Sequence, residues 1–299
     1  FMSEYGFQGL PNVKTFQAFA KSDELHFDSD AIKNHQKHPT GYQTINEYMA
    51  RDYQVPKNFE DYIYVSQLLQ AKGMKTAIEA HRRAKPNCMG TLIWQLNDCW
   101  PVTSWSSVDY YGRWKALQYQ LKQSFNPILV DIVENEVNYE VRVINDEPIP
   151  HHITLVEEVM DFNGNHIDGY EVEFDIEANS NQALSATPKE NYSAKNRHQM
   201  VISVTCQTTS GKTSKSLFYF VKPNELQLTK PNIQVVKIDE LTYEISTDVL
   251  AKNVYLSAEE EVFFSDNFFD LLPQEKMVIK VTQPVKAIQL KSLFDVQKR

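Results

Sequence analysis

The sequence concentrates its tryptophans in one short segment, beside amide groups and a carboxylate. All four tryptophans fall between positions 94 and 114, and the first two, Trp94 and Trp100, flank Asn97 and Asp98. Aromatic rings offer flat apolar faces, whereas amides and carboxylates form hydrogen bonds. Sugars present C–H faces and hydroxyl groups that match such a surface. The segment is therefore a candidate sugar-binding site, and a tryptophan-rich corner of the core is the alternative.

A carboxylate close to the first residue is a second candidate for chemistry. The first three residues predict the end of a short strand, and Glu4, Tyr5 and Gly6 follow. A carboxylate in that position can act as a nucleophile or as a general acid or base. Taken alone, Glu4 could equally be an ordinary surface carboxylate at a strand end.

Residues 1 to about 126 predict alternating strands and helices that would position these side chains. Helices are expected over 58–85, which Pro86 ends, and over 114–124, which Pro127 ends. A short buried strand is expected over 90–96, and residues 10–57 are expected to form a long polar and aromatic loop. The Arg82-Arg83 pair is expected at the solvated end of the first helix.

This order of elements is typical of a (β/α)₈ barrel, in which catalytic residues lie at the C-terminal ends of the strands. Glu4 and the Asn97-Asp98 pair both occupy such strand ends. A complete barrel takes about 250 residues, so this segment is expected to hold only the last strand–helix units.

Strand patterns replace helical ones from about residue 127. Residues 139–143 alternate apolar and charged side chains, residues 161–165 predict a hairpin turn, and residues 200–208 and 214–221 predict a hairpin. These patterns predict an antiparallel sandwich of the immunoglobulin type. Shorter strand patterns after residue 231 predict a second, smaller sandwich.

Two motifs together resemble those of the β-mannosidases of glycoside hydrolase family 2. They are Ser3-Glu4-Tyr5-Gly6 and Trp94-Gln95-Leu96-Asn97-Asp98-Cys99-Trp100-Pro101. The resemblance extends along the chain and includes the segment 265–273. It implies the C-terminal part of a catalytic (β/α)₈ barrel over 1–126, an immunoglobulin-like β-sandwich over 127–225 and a second, smaller one over 226–299.

The resemblance also implies roles for individual residues. Glu4 would be the nucleophile of a retaining exo-β-mannosidase, which forms a glycosyl-enzyme and releases terminal, non-reducing β-D-mannose. Trp94, Asn97, Asp98 and Trp100 would contact the sugar. The substrate would be a β-mannoside or a mannose-containing oligosaccharide, and neither a metal nor an organic cofactor is expected.

The second carboxylate that such an enzyme requires is expected to be missing from the chain. In the family it belongs to an Asn-Glu pair upstream of the nucleophile. The three Asn-Glu pairs here contain Glu47, Glu136 and Glu225, and none follows a plausible barrel strand. Losing a general acid typically costs about 10²–10⁴-fold in rate, so the isolated chain is expected to be inactive.

Composition narrows the class of partner. The net charge of -9 argues against binding a nucleic acid, and no apolar run of about 18 residues predicts a membrane span. The three cysteines are too few and too scattered for a disulfide framework or a zinc site. Open barrel edges could pair with a second copy of the chain, giving a homo-oligomer. The family resemblance allows a lysosomal, periplasmic or cytoplasmic location.

Three other functions are compatible with the sequence. The first is a noncatalytic carbohydrate-binding protein that uses the tryptophans as a stacking platform. The second is a related β-glycosidase of the β-galactosidase or β-glucuronidase type. The third is a structural protein whose sandwiches serve as docking modules.

Overall fold

The computed structural model describes residues 1–297, which form two compact units. The first unit comprises Phe1–Met2, Ala77–Thr91 and Lys122–Leu228. The second comprises Ser3–Thr76, Leu92–Leu121 and the residues from Thr229 onward. No helix in the described part of the chain has the length and apolar character needed to cross a membrane.

Helices dominate the first 126 residues. In chain order the elements are β1 (Met2–Tyr5), α1 (Val13–Gln17), α2 (Asp30–Asn34), α3 (Gly41–Asp52), α4 (Phe59–Arg83), β2 (Thr91–Ile93) and α5 (Ala116–Ser124). The helices predicted over 58–85 and 114–124 are confirmed as α4 and α5.

The prediction of a long loop over 10–57 was wrong, because α1, α2 and α3 lie within it. In α3 the side chains of Ile45 and Met49 are buried one turn apart. The Ser29 hydroxyl caps α2 by accepting a hydrogen bond from Ile32 N at 3.2 Å. Helices α1 and α2 have only five residues each, and few residues of the 12-residue α3 are aliphatic, so the helical period was weak in this segment.

Strands β1 and β2 pair with each other and run in the same direction. Met2 N donates to Gly90 O at 3.0 Å, and further along the strands Trp94 N donates to Tyr5 O at 2.7 Å. The strand predicted over 90–96 is present as β2, but it is shorter than predicted, and its predicted burial was wrong because Leu92 is 54% exposed. In the described part of the chain, β2 pairs with β1 alone, and so one edge of each strand remains open.

The first sandwich has a three-stranded and a four-stranded antiparallel sheet. The first sheet has the order β3-β4-β7 and the second β6-β5-β8-β9. The strands are β3 (Ile128–Glu134), β4 (Asn138–Asn145), β5 (His151–Asp161), β6 (His166–Ile176), β7 (Ser180–Pro188), β8 (Met200–Thr208) and β9 (Thr213–Tyr219). Inward side chains such as Val143, Leu155 and Val204 form the core. Gly164, at φ 85°, lies in the predicted turn between β5 and β6.

The C-terminal end of α4 packs against this sandwich within the first unit. The Arg82 guanidinium donates to Ser124 O at 2.5 Å and Asn126 O at 2.8 Å, and it lies 3.0 Å from the Asp146 carboxylate. Arg83 forms an ion pair with Asp131. The expectation of a solvated arginine pair was therefore wrong, because the carbonyl groups after α5 need donors that these side chains supply.

The second sandwich is smaller and has two three-stranded sheets. Their orders are β10-β11-β14 and β13-β12-β15. The elements are β10 (Gln234–Lys237), β11 (Thr242–Ser246), β12 (Ala251–Ser257), β13 (Phe269–Leu271), β14 (Lys276–Lys280), β15 (Gln289–Lys291) and α6 (Leu293–Gln297). The side-chain amide of Asn267 bonds both N and O of Leu256, at 2.7 and 2.9 Å, and so replaces a strand partner there.

We expect Arg82→Met to lower the free energy of unfolding by about 2–4 kcal/mol. The change removes a buried guanidinium, leaves the carbonyl groups of Ser124 and Asn126 without their donor, and leaves the Asp146 carboxylate paired with Lys85 alone. Urea unfolding followed by circular dichroism measures this loss. Lys195→Met, at an exposed position, is the control and should stay within about 0.5 kcal/mol of the parent. Equal stability of the two variants would contradict the anchoring role of Arg82.

Candidate active site

The ends of β1 and β2 lie side by side in the second unit. The hydrogen bond from Trp94 N to Tyr5 O joins them at 2.7 Å. A Cβ atom added to Gly6 would lie 2.0 Å from Trp94 O and 3.1 Å from the Trp105 ring. Only glycine fits so close an approach of two backbones. The segment after Glu4 and the segment that begins at Trp94 are therefore in direct contact.

Glu4 itself lies at the surface. Its side chain is exposed, and within residues 1–297 no hydrogen bond or ion pair to its carboxylate is found. An exposed carboxylate on β1 is sterically open to attack a substrate. The structure thus places Glu4 near the tryptophan segment, and its role as nucleophile stays a prediction.

Asp98 is the most completely bonded of the predicted site residues. Its side chain is fully buried. Oδ1 accepts from Lys37 Nζ at 3.2 Å and from Gln95 Nε2 at 3.3 Å. Oδ2 accepts from the hydroxyls of Ser104 at 3.0 Å and Ser106 at 2.5 Å. The carboxylate thereby holds together the loop from Gln95 to Ser106.

The other predicted sugar contacts are accessible to different degrees. Trp94 is 49% exposed, and its peptide bond to Gln95 is cis. Asn97 is exposed, and its backbone oxygen accepts from Gln95 Nε2 at 2.7 Å. Trp100 is half-buried against the His35 ring, with the ring centroids 5.3 Å apart. The exposed face of the loop thus offers one open indole, one amide and one partly covered indole.

The His35 ring also packs against Phe19. The two rings stack with their centroids 3.6 Å apart, and His35 Nδ1 lies 2.6 Å from Pro101 O. The imidazole therefore serves as a packing platform beneath Trp100. No group of three His, Cys, Asp or Glu side chains in the described residues is placed to hold a metal ion.

Sequence reasoning missed the residues that support the loop. The carboxylate of Asp98 is bound by Lys37, Ser104 and Ser106. The spacing of these three residues in the sequence gives no sign that they contact Asp98. The polar run from Thr103 to Ser107 gave one usable signal. Four of its five residues are serine or threonine and all four are fully buried, and buried hydroxyl groups require partners.

A buried lysine lies beneath the same loop. Lys115 Nζ donates to Gly9 O at 2.9 Å, and burial lowers the pKa of Lys115 to about 7, although the charges of Asp98 and Asp109 oppose that shift. Asp109 accepts hydrogen bonds from the Thr15 hydroxyl and from the backbone N–H groups of Tyr111 and Arg113. Charged groups are thus buried below the candidate site as well as within it.

The fold defines the class of protein, in which a helical segment is followed by two immunoglobulin-like domains of the mannosidase type. Residues 137–225 match a mannosidase Ig/CBM-like domain, and residues 228–298 match the Ig-fold domain of mannosidases.

The particular relatives are β-mannosidases. The chain is 30% identical to the β-mannosidase of Capra hircus over 168 residues, which are 52% of this chain and 19% of the relative. It is 26% identical to β-mannosidase B of Thermothelomyces thermophilus over 98% of this chain and 38% of the relative. The resemblance to the C-terminal part of a β-mannosidase is confirmed.

Two solved structures are similar to this chain in fold. The crystal structure of the β-D-mannosidase from Dictyoglomus thermophilum superposes with a TM-score of 0.88 at 29% identity, over 98% of this chain and 37% of that one. The exo-chitosanase of Amycolatopsis orientalis shares the fold, with a TM-score of 0.75 at 16% identity. The chain thus spans less than half the length of the relatives it matches.

We expect Asp98→Asn to destabilise the protein by about 1–3 kcal/mol. The asparagine side chain forms no ion pair with Lys37. Its NH₂ group also faces hydroxyl groups that donated hydrogen bonds to the carboxylate and now lack an acceptor. Urea unfolding followed by tryptophan fluorescence measures the loss, since all four tryptophans lie in or near the loop. Asn97→Ala removes the exposed neighbouring side chain as a control. A loss no larger than that of the control would argue against the anchoring role of Asp98.

We expect the protein to gain stability between pH 7 and pH 9 through Lys115. The unfolded chain keeps the lysine proton up to a pKa near 10.4, whereas the folded protein releases it at about 7. The unfolded state therefore binds more protons in this window, and the free energy of unfolding rises by up to about 1.4 kcal/mol per pH unit.

Lys115→Met should remove this contribution to the pH dependence, although the variant also loses the bond to Gly9 O. Urea unfolding at pH 7, 8 and 9 compares the slopes of the two proteins. Parallel slopes would show that Lys115 does not titrate in this window.

Proposed function

We propose that this chain is the C-terminal part of a retaining exo-β-mannosidase that removes terminal, non-reducing β-D-mannose. The contact between Trp94 N and Tyr5 O carries the proposal, because it joins the strand bearing Glu4 to the strand end at which the tryptophan loop begins. The relatives named above supply the substrate class, a β-mannoside or a mannose-containing oligosaccharide.

In this proposal residues 1–126 are the last strand–helix units of a (β/α)₈ barrel. The parallel pairing of β1 and β2 supports this, as does the position of both motifs at the C-terminal ends of these strands. The sandwiches then occupy 127–225 and 226–299. Because the open edges of β1 and β2 could pair with a second copy of the chain, a homo-oligomer also remains a prediction.

The mechanism is a double displacement. The Glu4 carboxylate attacks the anomeric carbon as the glycosidic bond breaks, and the leaving group departs with the bonding electron pair. Water then attacks the same carbon of the glycosyl-enzyme, which frees the Glu4 carboxylate and releases mannose. Trp94 and Trp100 stack on the sugar, and the Asn97 amide bonds its hydroxyl groups. Both oxygens of Asp98 are already bonded within the loop, so Asp98 acts here mainly by fixing the position of its neighbours.

The acid/base is not one of the three Asn-Glu pairs. Glu47 lies in α3, Glu136 lies between β3 and β4, and Glu225 ends a short 3₁₀ helix after β9. None follows β1 or β2, at whose ends the site lies. We therefore expect this chain to favour substrates whose leaving group needs no proton.

We expect the chain to be nearly inactive on 4-nitrophenyl β-D-mannoside, because the general acid is missing, and to hydrolyse 2,4-dinitrophenyl β-D-mannoside at least about 100-fold faster. Dinitrophenolate departs without general acid catalysis, whereas the poorer leaving group loses the about 10²–10⁴-fold that a general acid supplies. Release of the two nitrophenolates, measured by absorbance, gives both rates. Glu4→Gln should abolish turnover of both substrates, because an amide cannot act as the nucleophile.

The dinitrophenyl β-D-galactoside is the specificity control. Equal turnover of mannoside and galactoside would favour a related β-glycosidase. Mannoside turnover that persists in Glu4→Gln would exclude Glu4 as the nucleophile. Comparable rates on the two mannosides would show that the chain does contain a general acid.

A carbohydrate-binding protein without turnover is the second candidate, and the exposure of Trp94 favours it. Titration with mannobiose, followed by tryptophan fluorescence, separates the two functions. Saturable binding that is unchanged in Glu4→Gln, with no hydrolysis of either mannoside, would support the binding protein.

A further inference from the structure

A single buried amide bridges the two segments of the candidate site. Gln70, in α4, is fully buried, and its Nε2 donates to Phe7 O at 2.8 Å and to Ser106 O at 3.1 Å. Phe7 lies three residues after Glu4. Ser106 belongs to the loop that Asp98 organises. One NH₂ group therefore bonds both the backbone after Glu4 and the tryptophan loop.

The packing around Gln70 restricts its movement. A Cβ atom added to Gly9 would lie 2.4 Å from Gln70 Oε1, so the backbone at Gly9 closes directly over the amide. Gly9 N donates to Ser104 O at 3.0 Å, and Gly9 O accepts from Lys115 Nζ at 2.9 Å. The bond from Gly9 N to Ser104 O thus joins the same two segments a second time. The close approach of the Gly9 backbone also prevents free rotation of the Gln70 amide.

We propose that Gln70 is a positioning residue of the active site: it fixes the spacing between the nucleophile segment and the tryptophan loop without touching the sugar. This inference rests on the proposed function. Attack on the anomeric carbon requires the nucleophile and the sugar-binding surface to be aligned, and a misplacement of 1 Å can cost about 10²-fold in rate. A rigid bridge between the two segments preserves that alignment.

The same helix provides a matched control. Gln67 lies three residues before Gln70 and is also buried, but its Oε1 accepts from Ala116 N at 3.1 Å, at the start of α5. Gln70→Met and Gln67→Met both replace a buried amide with an unbranched apolar side chain of similar length. Both remove buried hydrogen bonds, whereas only the first removes bonds that link the two site segments.

Amide hydrogen exchange measured by mass spectrometry tests the bridge without any sugar. In Gln70→Met we expect exchange in peptides covering 7–10 and 103–107 to rise about tenfold, which equals about 1.4 kcal/mol of local opening. In Gln67→Met the exchange of these peptides should stay at the parent level. The same exchange pattern in both variants would overturn the proposal.

Turnover of 2,4-dinitrophenyl β-D-mannoside tests the consequence for catalysis. Gln70→Met should lower kcat by about 10- to 100-fold with KM little changed, and Gln67→Met should match the parent protein. An unchanged kcat in Gln70→Met, despite faster exchange, would also overturn the proposal. If the parent protein shows no turnover, the proposed activity of this chain fails, and the exchange comparison alone decides whether Gln70 fixes the spacing.

Discussion

The buried carboxylate of Asp98 is the interaction on which the candidate site depends. Removing a carboxylate from water is costly unless donors replace the lost hydration. Lys37, Gln95, Ser104 and Ser106 supply four donors from both sides of the loop. Satisfying one buried charge thus fixes a segment that has almost no regular secondary structure.

The same principle recurs wherever an irregular segment meets a helix. Arg82 binds the carbonyl groups that follow α5, Lys115 binds Gly9 O, and Gln70 binds Phe7 O and Ser106 O. Loops expose backbone groups that strands and helices would satisfy internally. Buried polar side chains from α4 and from the residue before α5 supply the missing partners. The loops that flank Glu4 and Trp94 are therefore held by side chains distant in sequence.

In the candidate site, the residues with exposed side chains differ from the buried residues that support them. Glu4, Trp94 and Asn97, at or just after the ends of β1 and β2, have exposed side chains. The buried residues lie beneath them and are bonded to one another or to the backbone. If the proposed function holds, a substrate would contact the exposed groups while the buried hydrogen bonds keep them in place, which is the pre-organisation that catalysis requires.

The sequence by itself determined the two motifs, α4, α5 and most strands of both sandwiches, because each depends on local composition or on a short period. The run from Thr242 to Ser246, for example, is one of the strand patterns after residue 231, and it forms β11. Tertiary structure alone decided that Asp98 is buried, that Arg82 anchors a helix and that Gln70 bridges two loops. Each outcome depends on a distant partner: Lys37 is 61 residues from Asp98, Ser124 is 42 residues from Arg82, and Phe7 is 63 residues from Gln70. A local pattern carries no information about partners so far along the chain.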